Sequence, residues 1–159
     1  MSWLVKQLNK KQKGFTLIEM VVVLAIIAVL IAIAVPQVLR QINNAKKNAD
    51  IANAKTIATA IQQWVAEGNT FGSGTGSYSV VSETSPISSG LSSYITGGVP
   101  KVRYNNSWKF VYRYDTATET VYVGVQEKAD ENYQLYPYVA DQGLKNDGKT
   151  TTGTTNPYK

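Results

Sequence analysis

The 159-residue sequence contains no cysteine and no histidine. Without cysteine there is no disulfide framework and no thiolate metal site, although the absence leaves the redox compartment open. Without histidine the chain lacks the usual general base at neutral pH, the common zinc ligand and any Ser-His-Asp arrangement. Both gaps weigh against an enzyme and against a cofactor- or metal-dependent site. Acids are also fewer than bases, eleven against sixteen, but Lys6, Lys10, Lys11 and Lys13 all precede Gly14 in a stretch with no acid. Setting those four lysines aside leaves twelve bases against eleven acids, so the rest of the chain is close to neutral. The basic excess belongs to the amino terminus, where it holds that end on the cytoplasmic side of a membrane. It does not describe a nucleic-acid-binding surface.

What the chain does have is a hydrocarbon-length segment. From Phe15 to Val35 the polar residues are Thr16 and Glu19, and Val21 to Val35 carries no charge. As a helix these residues span about 31 Å, the thickness of a bilayer core. The β-branched residues are no obstacle, because helix is the one single-segment answer to backbone hydrogen bonding in lipid. Glu19 is the anomaly. A charge at bilayer depth costs roughly 2.5–3.5 kcal/mol on insertion scales, so this carboxylate needs a partner that its own helix is not expected to supply.

The run Lys13-Gly14-Phe15-Thr16-Leu17-Ile18-Glu19-Met20 resembles the processing site of type IV pilins and of the pseudopilins of type II secretion, closely over about the first 55 residues. The resemblance implies that a membrane peptidase cuts between Gly14 and Phe15 and methylates the new amino terminus of Phe15. It further implies that Glu19 pairs with the amino terminus of a neighbouring subunit, and that the helix melts around Pro36 in the assembled filament. A buried acid and a buried amine are each costly alone, and a hydrogen-bonded pair relieves both. Implied partners are other copies in a helical filament, the peptidase and methyltransferase, the assembly platform with its ATPase, and the cytoplasmic membrane before assembly. Nucleic acid, metal and cofactor are not among them. The expected location is a single pass through the membrane, with the carboxy-terminal part outside, followed by an extracellular pilus.

Two blander readings compete. Ala32-Ile33-Ala34 has the small-x-small pattern of a secretory cleavage site, which would free a soluble protein after Ala34. Such signals have apolar cores of about 7–15 residues without an acid, and Glu19 lies inside this one. A plain membrane anchor explains the length but gives Glu19 no role. Within the resembling family, a pilus subunit serving adhesion, motility or DNA uptake and a secretion pseudopilin both remain open. Many pilins close the carboxy-terminal region with a disulfide. This chain cannot, so strand pairing, a metal or filament contacts must hold its tail.

The predicted organisation is a leader at 1–14, a membrane or filament-core helix at 15–35, and an amphipathic continuation at 36–67. A Gly/Ser/Thr-rich loop at 68–99 and an antiparallel sheet with the carboxy-terminal region at 100–159 follow. Pro36 removes one amide hydrogen and leaves the Ala32 carbonyl without its usual donor. Beyond it, Val38, Ile42, Ala45, Ala49 and Ala52, then Ile51, Ala54, Ile57, Ala58, Ile61, Trp64 and Val65, keep helical spacing. Asp50 falls with Arg40, Asn43, Lys47, Asn53, Lys55 and Gln62 on the polar face, and Gly68 suits the left-handed cap. The fold class is α+β: a long helix packed on three or four antiparallel strands. Alternation predicts strands at Trp108–Tyr114 and Val121–Val125 joined by a turn at Asp115–Thr118, with Lys101–Tyr104 pairing in front. Tyr133–Val139 reads as an edge strand because of Pro137. A helical turn is expected at Leu91–Ile95, and a polar, turn-rich tail from Gln142.

Trp108, Phe110, Tyr112 and Tyr114, with Lys101, Arg103, Lys109 and Arg113 nearby, could form a stacking platform for single strands. Packing of that aromatic face on Ile57, Ile61 and Trp64 is the simpler reading. Oxygen donors in Asp141–Gly148 could hold calcium, but their spacing fits no EF-hand loop and Lys145 intrudes. Turn chemistry accounts for them equally well.

Overall fold

The fold was obtained as a computed structural model. It describes residues 14–71, 76–81, 93–145 and 147–159. The leader through Lys13, the loop positions 72–75 and 82–92, and Asn146 lie outside the described residues; of the helical turn expected at Leu91–Ile95, Leu91 and Ser92 lie outside them and Ser93 and Tyr94 are helical.

Helix α1 runs over Leu17–Ala66 without interruption and includes Pro36. The chain divides into two compact units, Met1–Ile42 and Asn43–Lys159. In the first, α1 is bare. Its large apolar side chains from Phe15 to Ile42 are between 44% and 82% exposed. Among the described residues, α1 is the one helix long and apolar enough to cross a membrane.

The second unit is built as predicted in class and revised in detail. Among the described residues its sheet has six strands rather than three or four, in the order β1-β2-β3-β4-β5-β6. They are β1 Ser79–Val80, β2 Lys109–Asp115, β3 Thr120–Lys128, β4 Glu131–Tyr136, β5 Gln142–Leu144 and β6 Thr150–Thr155. Every neighbouring pair is antiparallel. The β2–β3 register, from Lys109 opposite Gln126 to Asp115 opposite Thr120, is the hairpin that the alternating pattern predicts. Its turn is drawn tight by the Asp115 carboxylate, which accepts from the backbone N–H of Ala117 at 2.9 Å, the usual Asx device.

Three expectations are corrected. β4 is not an edge strand: it pairs with β3 on one side and β5 on the other, and ends at Tyr136 just before Pro137, so no ladder donor is lost. Lys101–Tyr104 forms no strand and hydrogen-bonds to the helix instead. The tail from Gln142 forms β5 and β6, a short hairpin whose apolar content was too low to register as strand.

The core joins Ala54, Ile57, Ala58 and Ile61 of α1 to Phe110, Tyr112, Val121, Val123, Val125, Tyr133 and Leu135 of the sheet. Ile57, Ile61, Val121, Val123 and Val125 are 0–1% exposed, and full burial of such a side chain is worth about 1.5–3 kcal/mol. The aromatic residues of β2 are core, as the simpler reading had it. Trp108 lies 5.4 Å from the ring of Tyr133, and Phe71 stacks on Tyr114 at 4.5 Å. Gly124 is required by close approach: a Cβ there would meet the Tyr133 carbonyl oxygen at 2.5 Å. The β3–β4 register shifts at this point.

Candidate processing and assembly site

Gly14, Phe15 and Thr16 precede the helix and are non-helical. Thr16 is the N-cap: its carbonyl accepts from the Met20 N–H at 3.3 Å, and its hydroxyl accepts from the Glu19 N–H at 3.3 Å. In return the Glu19 carboxylate accepts from the Thr16 N–H and from the Thr16 hydroxyl, both at 2.8 Å. This is a reciprocal capping box, in which side chains three residues apart satisfy each other's backbone donors. The carboxylate also sits at the positive end of the helix dipole.

The expectation that the helix supplies Glu19 with no partner is therefore corrected. It supplies hydrogen-bond donors and a favourable dipole, but no opposite charge. The sequence signal for this cap is Thr16-x-x-Glu19 before an apolar run. Phe15 is 79% exposed. Pro36 lies inside α1, so the carbonyl one turn back loses its donor while the helix continues. Met20, Leu24, Ala28 and Ile31 lie along this exposed part of the helix.

A second carboxylate of α1 behaves in the opposite way. Asp50, expected on the polar face, is 0% exposed. Its Oδ1 accepts from the Arg103 N–H at 2.7 Å, and its Oδ2 from the Tyr104 N–H at 2.9 Å and the Tyr158 hydroxyl at 2.7 Å. Three donors from two distant segments meet one buried acid, which answers what holds a tail without a disulfide. Asn156 adds to the closure: its side-chain amide donates to the Gln134 carbonyl at 3.2 Å, and its Oδ1 accepts from the Tyr158 N–H. Burial, with the Asp50 carboxylate beside it, pushes the Tyr158 hydroxyl well above the usual tyrosine range. Burial likewise pushes Tyr78 up to about 12. No local pattern points to the Asp50 contacts, because helical periodicity cannot foresee a partner 108 residues away.

The candidate calcium segment is occupied by turn and ion-pair chemistry. Asp141 pairs with Lys159. Asp147 lies 3.4 Å from the Lys149 ammonium, and the Lys149 backbone N–H holds its carboxyl below the usual range. Asn146 lies outside the described residues. Among those described, no group of three or more His, Cys, Asp or Glu side chains is placed to share an ion.

An exposed apolar helix long enough to cross a membrane, with a capped carboxylate at its start and a separately cored antiparallel sheet in the same chain, gives the α+β architecture of the pilin fold. The comparisons agree. Residues 9–35 match the family described as the prokaryotic N-terminal methylation motif. The chain is 36% identical over 63 residues to the type IV major pilin protein PilA of Myxococcus xanthus, 40% of this chain and 29% of that protein. It is 41% identical over 61 residues to the type IV major fimbrial protein FimA of Dichelobacter nodosus, 38% of this chain and 39% of that one. With the type II secretion system core protein G of Pseudomonas aeruginosa it shares 39% identity over 56 residues, 35% of this chain and 39% of the relative. No solved structure matches. The chain therefore carries the prokaryotic N-terminal methylation motif and is similar over 56 to 63 residues to type IV pilins and a type II secretion core protein, spanning between 29% and 39% of the length of these relatives.

Proposed function

We propose that this chain is the structural subunit of a type IV pilus. Cleavage between Gly14 and Phe15 and methylation of Phe15 release it from its leader, and it polymerises into a helical filament. Before assembly the segment 15–35 holds it in the cytoplasmic membrane with the sheet outside. In the filament the same segments pack on one another. Because lipid tails are already apolar, exchanging them for protein gives little hydrophobic gain. Order must come from close packing, from work done by an assembly motor, and from pairing of Glu19 with the Phe15 amine of a neighbour. Pro36, which removes a helix hydrogen bond, is the point where α1 can loosen as subunits pack.

The observation that carries this reading is the contrast in partners. The sheet unit buries its own core and its own acid, whereas Phe15 to Ile42 is exposed throughout and Glu19 has uncharged donors from Thr16. Among the described residues nothing gives this segment a charged partner or an apolar covering, which supports a neighbouring subunit as the source of both. The test is Glu19→Ala in cells that assemble the wild-type chain. Cleavage and membrane insertion persist, with methylated Phe15 found by amino-terminal mass spectrometry, while sheared filaments fall to trace levels. Normal filaments from that variant would sink the pairing, and Val35 as first residue would point to a secreted protein instead.

A pseudopilin of a secretion machine is the second reading, and the identity shared with core protein G favours it. Electron microscopy separates the two, since a pilus extends from the cell surface and a pseudopilus stays within the envelope. Adhesion, motility and DNA uptake are the roles open to a surface filament.

A further inference from the structure

Charge is segregated along this nearly neutral chain. Residues 36–113 carry eight bases and three acids, whereas residues 114–159 carry four bases and seven acids. The folded sheet unit gathers part of each excess into a surface of one sign. Lys46 and Asn53 of α1 join Pro100, Lys101, Val102, Arg103 and Asn106 around a concave site of about 490 Å³. Lys46, Lys101 and Arg103 are all exposed, and none of the three is paired with an acid among the described residues. The acid nearest Lys46 in sequence, Asp50, is turned inward and committed to the Arg103 and Tyr104 backbone and the Tyr158 hydroxyl. Among the described residues of this unit, no acid neutralises the three cations.

The opposite sign lies on the β3–β4 turn, where Glu127, Asp130 and Glu131 fall within five residues and Lys128 is the one base. Asp130 is exposed and held with φ 65°, at the tip of the turn. Glu127 and Glu131 converge on the Tyr133 hydroxyl at 2.8 and 3.0 Å. One hydroxyl proton can serve only one of them at a time, so this pair of carboxylates retains capacity to accept from a cation. A convex acidic turn and a concave basic site are complementary in sign and in form.

We propose that Lys46, Lys101 and Arg103 receive the β3–β4 turn of a second copy of this chain. The choice of occupant follows from the overall charge. A polyanion binder carries a net positive surface, whereas residues 15–159 hold twelve bases and eleven acids, the balance of a chain that complements itself. The geometry of association follows too. The two patches differ, so their contact is head-to-tail, and a head-to-tail contact that does not close propagates a helical filament. Charge pairs of this kind fix register and discriminate against wrong partners. The inference rests on the filament reading above and adds a contact outside the apolar helix.

The test is a charge swap in the full-length chain, with wild-type filaments as reference. Lys101→Glu with Arg103→Glu reduces sheared filament about tenfold or more, because like charges then face each other. Glu127→Lys with Glu131→Lys does the same, and the four substitutions together restore assembly. Because the chain has no cysteine, Asn106→Cys and Ala129→Cys in one chain give an oxidised ladder of multimers in filaments, and each alone gives none. That readout does not depend on whether a charge variant folds. Filaments unaffected by the double reversal, a failed swap with no ladder, or tighter binding of DNA or anionic vesicles by the basic site than of a second copy would each overturn the contact and leave the filament reading standing. Absence of filaments from the wild-type chain would overturn both.

Discussion

Helix α1 carries two carboxylates, Glu19 and Asp50, and they face opposite situations. Asp50 is fully enclosed and receives three donors from its own chain. Glu19 is exposed, receives both of its donors from one neighbouring threonine, and stands in a stretch whose apolar side chains are all uncovered. Burying a polar group without partners costs free energy in either setting. In the sheet unit the fold itself supplies the partners, whereas in the first unit it supplies a cap and stops. The lesson is that one helix can be half a protein core and half an unfinished interface, and each acid tells which half it belongs to.

That contrast can be broken most forcefully at Asp50. Asp50→Ala leaves two backbone amides and a tyrosine hydroxyl in the interior without an acceptor, and each orphaned donor costs about 1–3 kcal/mol. Urea unfolding of the full-length chain in detergent, followed by tryptophan fluorescence, is expected to show a loss of roughly 3 kcal/mol or more. Glu19→Ala in the same assay leaves the transition of the sheet unit where it was. Equal shifts for the two would erase the distinction. Gly124→Ala comes next. The added methyl meets the Tyr133 backbone at 2.5 Å, and displacing a paired strand to admit it costs about 2 kcal/mol. Tyr158→Phe removes one of the three Asp50 donors while keeping the ring, with a loss of about 1 kcal/mol.

The smallest effect expected is on pH dependence. Tyr78 and Tyr158 are held neutral in the fold, with burial the larger cause for both. An unfolded tyrosine ionises near pH 10, below the folded values, so the unfolded chain releases these protons first. Their contribution is fully present at neutral pH and is lost as pH rises above about 10, through about 12 for Tyr78. Denaturant midpoints read from pH 7 to 11 are expected to be level and then fall, and less steeply so in Tyr158→Phe. A midpoint that rises with alkaline pH would contradict the assignment.

The helix, its membrane-length segment and the β2–β3 hairpin were legible because each repeats a local period of 3.6 or 2 over many residues. Gly68 was legible as a cap by its chemistry, and its φ is 86°. β5 and β6 were not legible, since, Leu144 apart, their sequences of glycine, glutamine and threonine carry no apolar alternation and the pairing partners are set by the fold. The misplacing of Asp50 has the same origin: periodicity locates a face, but what covers that face is decided by segments more than fifty positions away. At the candidate site, Gly14, Phe15 and Glu19 were named from a short motif. The local hydrogen bonding of Glu19 is legible too, since the four residues from Thr16 to Glu19 contain the whole capping box.

The cap at Thr16 has a consequence for how the leader is handled on the proposed route. Helical backbone begins at Leu17, so the bond between Gly14 and Phe15 lies outside the hydrogen-bonded ladder. A peptidase needs its substrate's amide and carbonyl free on both sides of the bond it attacks, and a wound helix would conceal them. On the proposed cleavage route, a threonine and a glutamate three residues apart fix the first coil at Leu17 and leave the bond after Gly14 unwound for the peptidase.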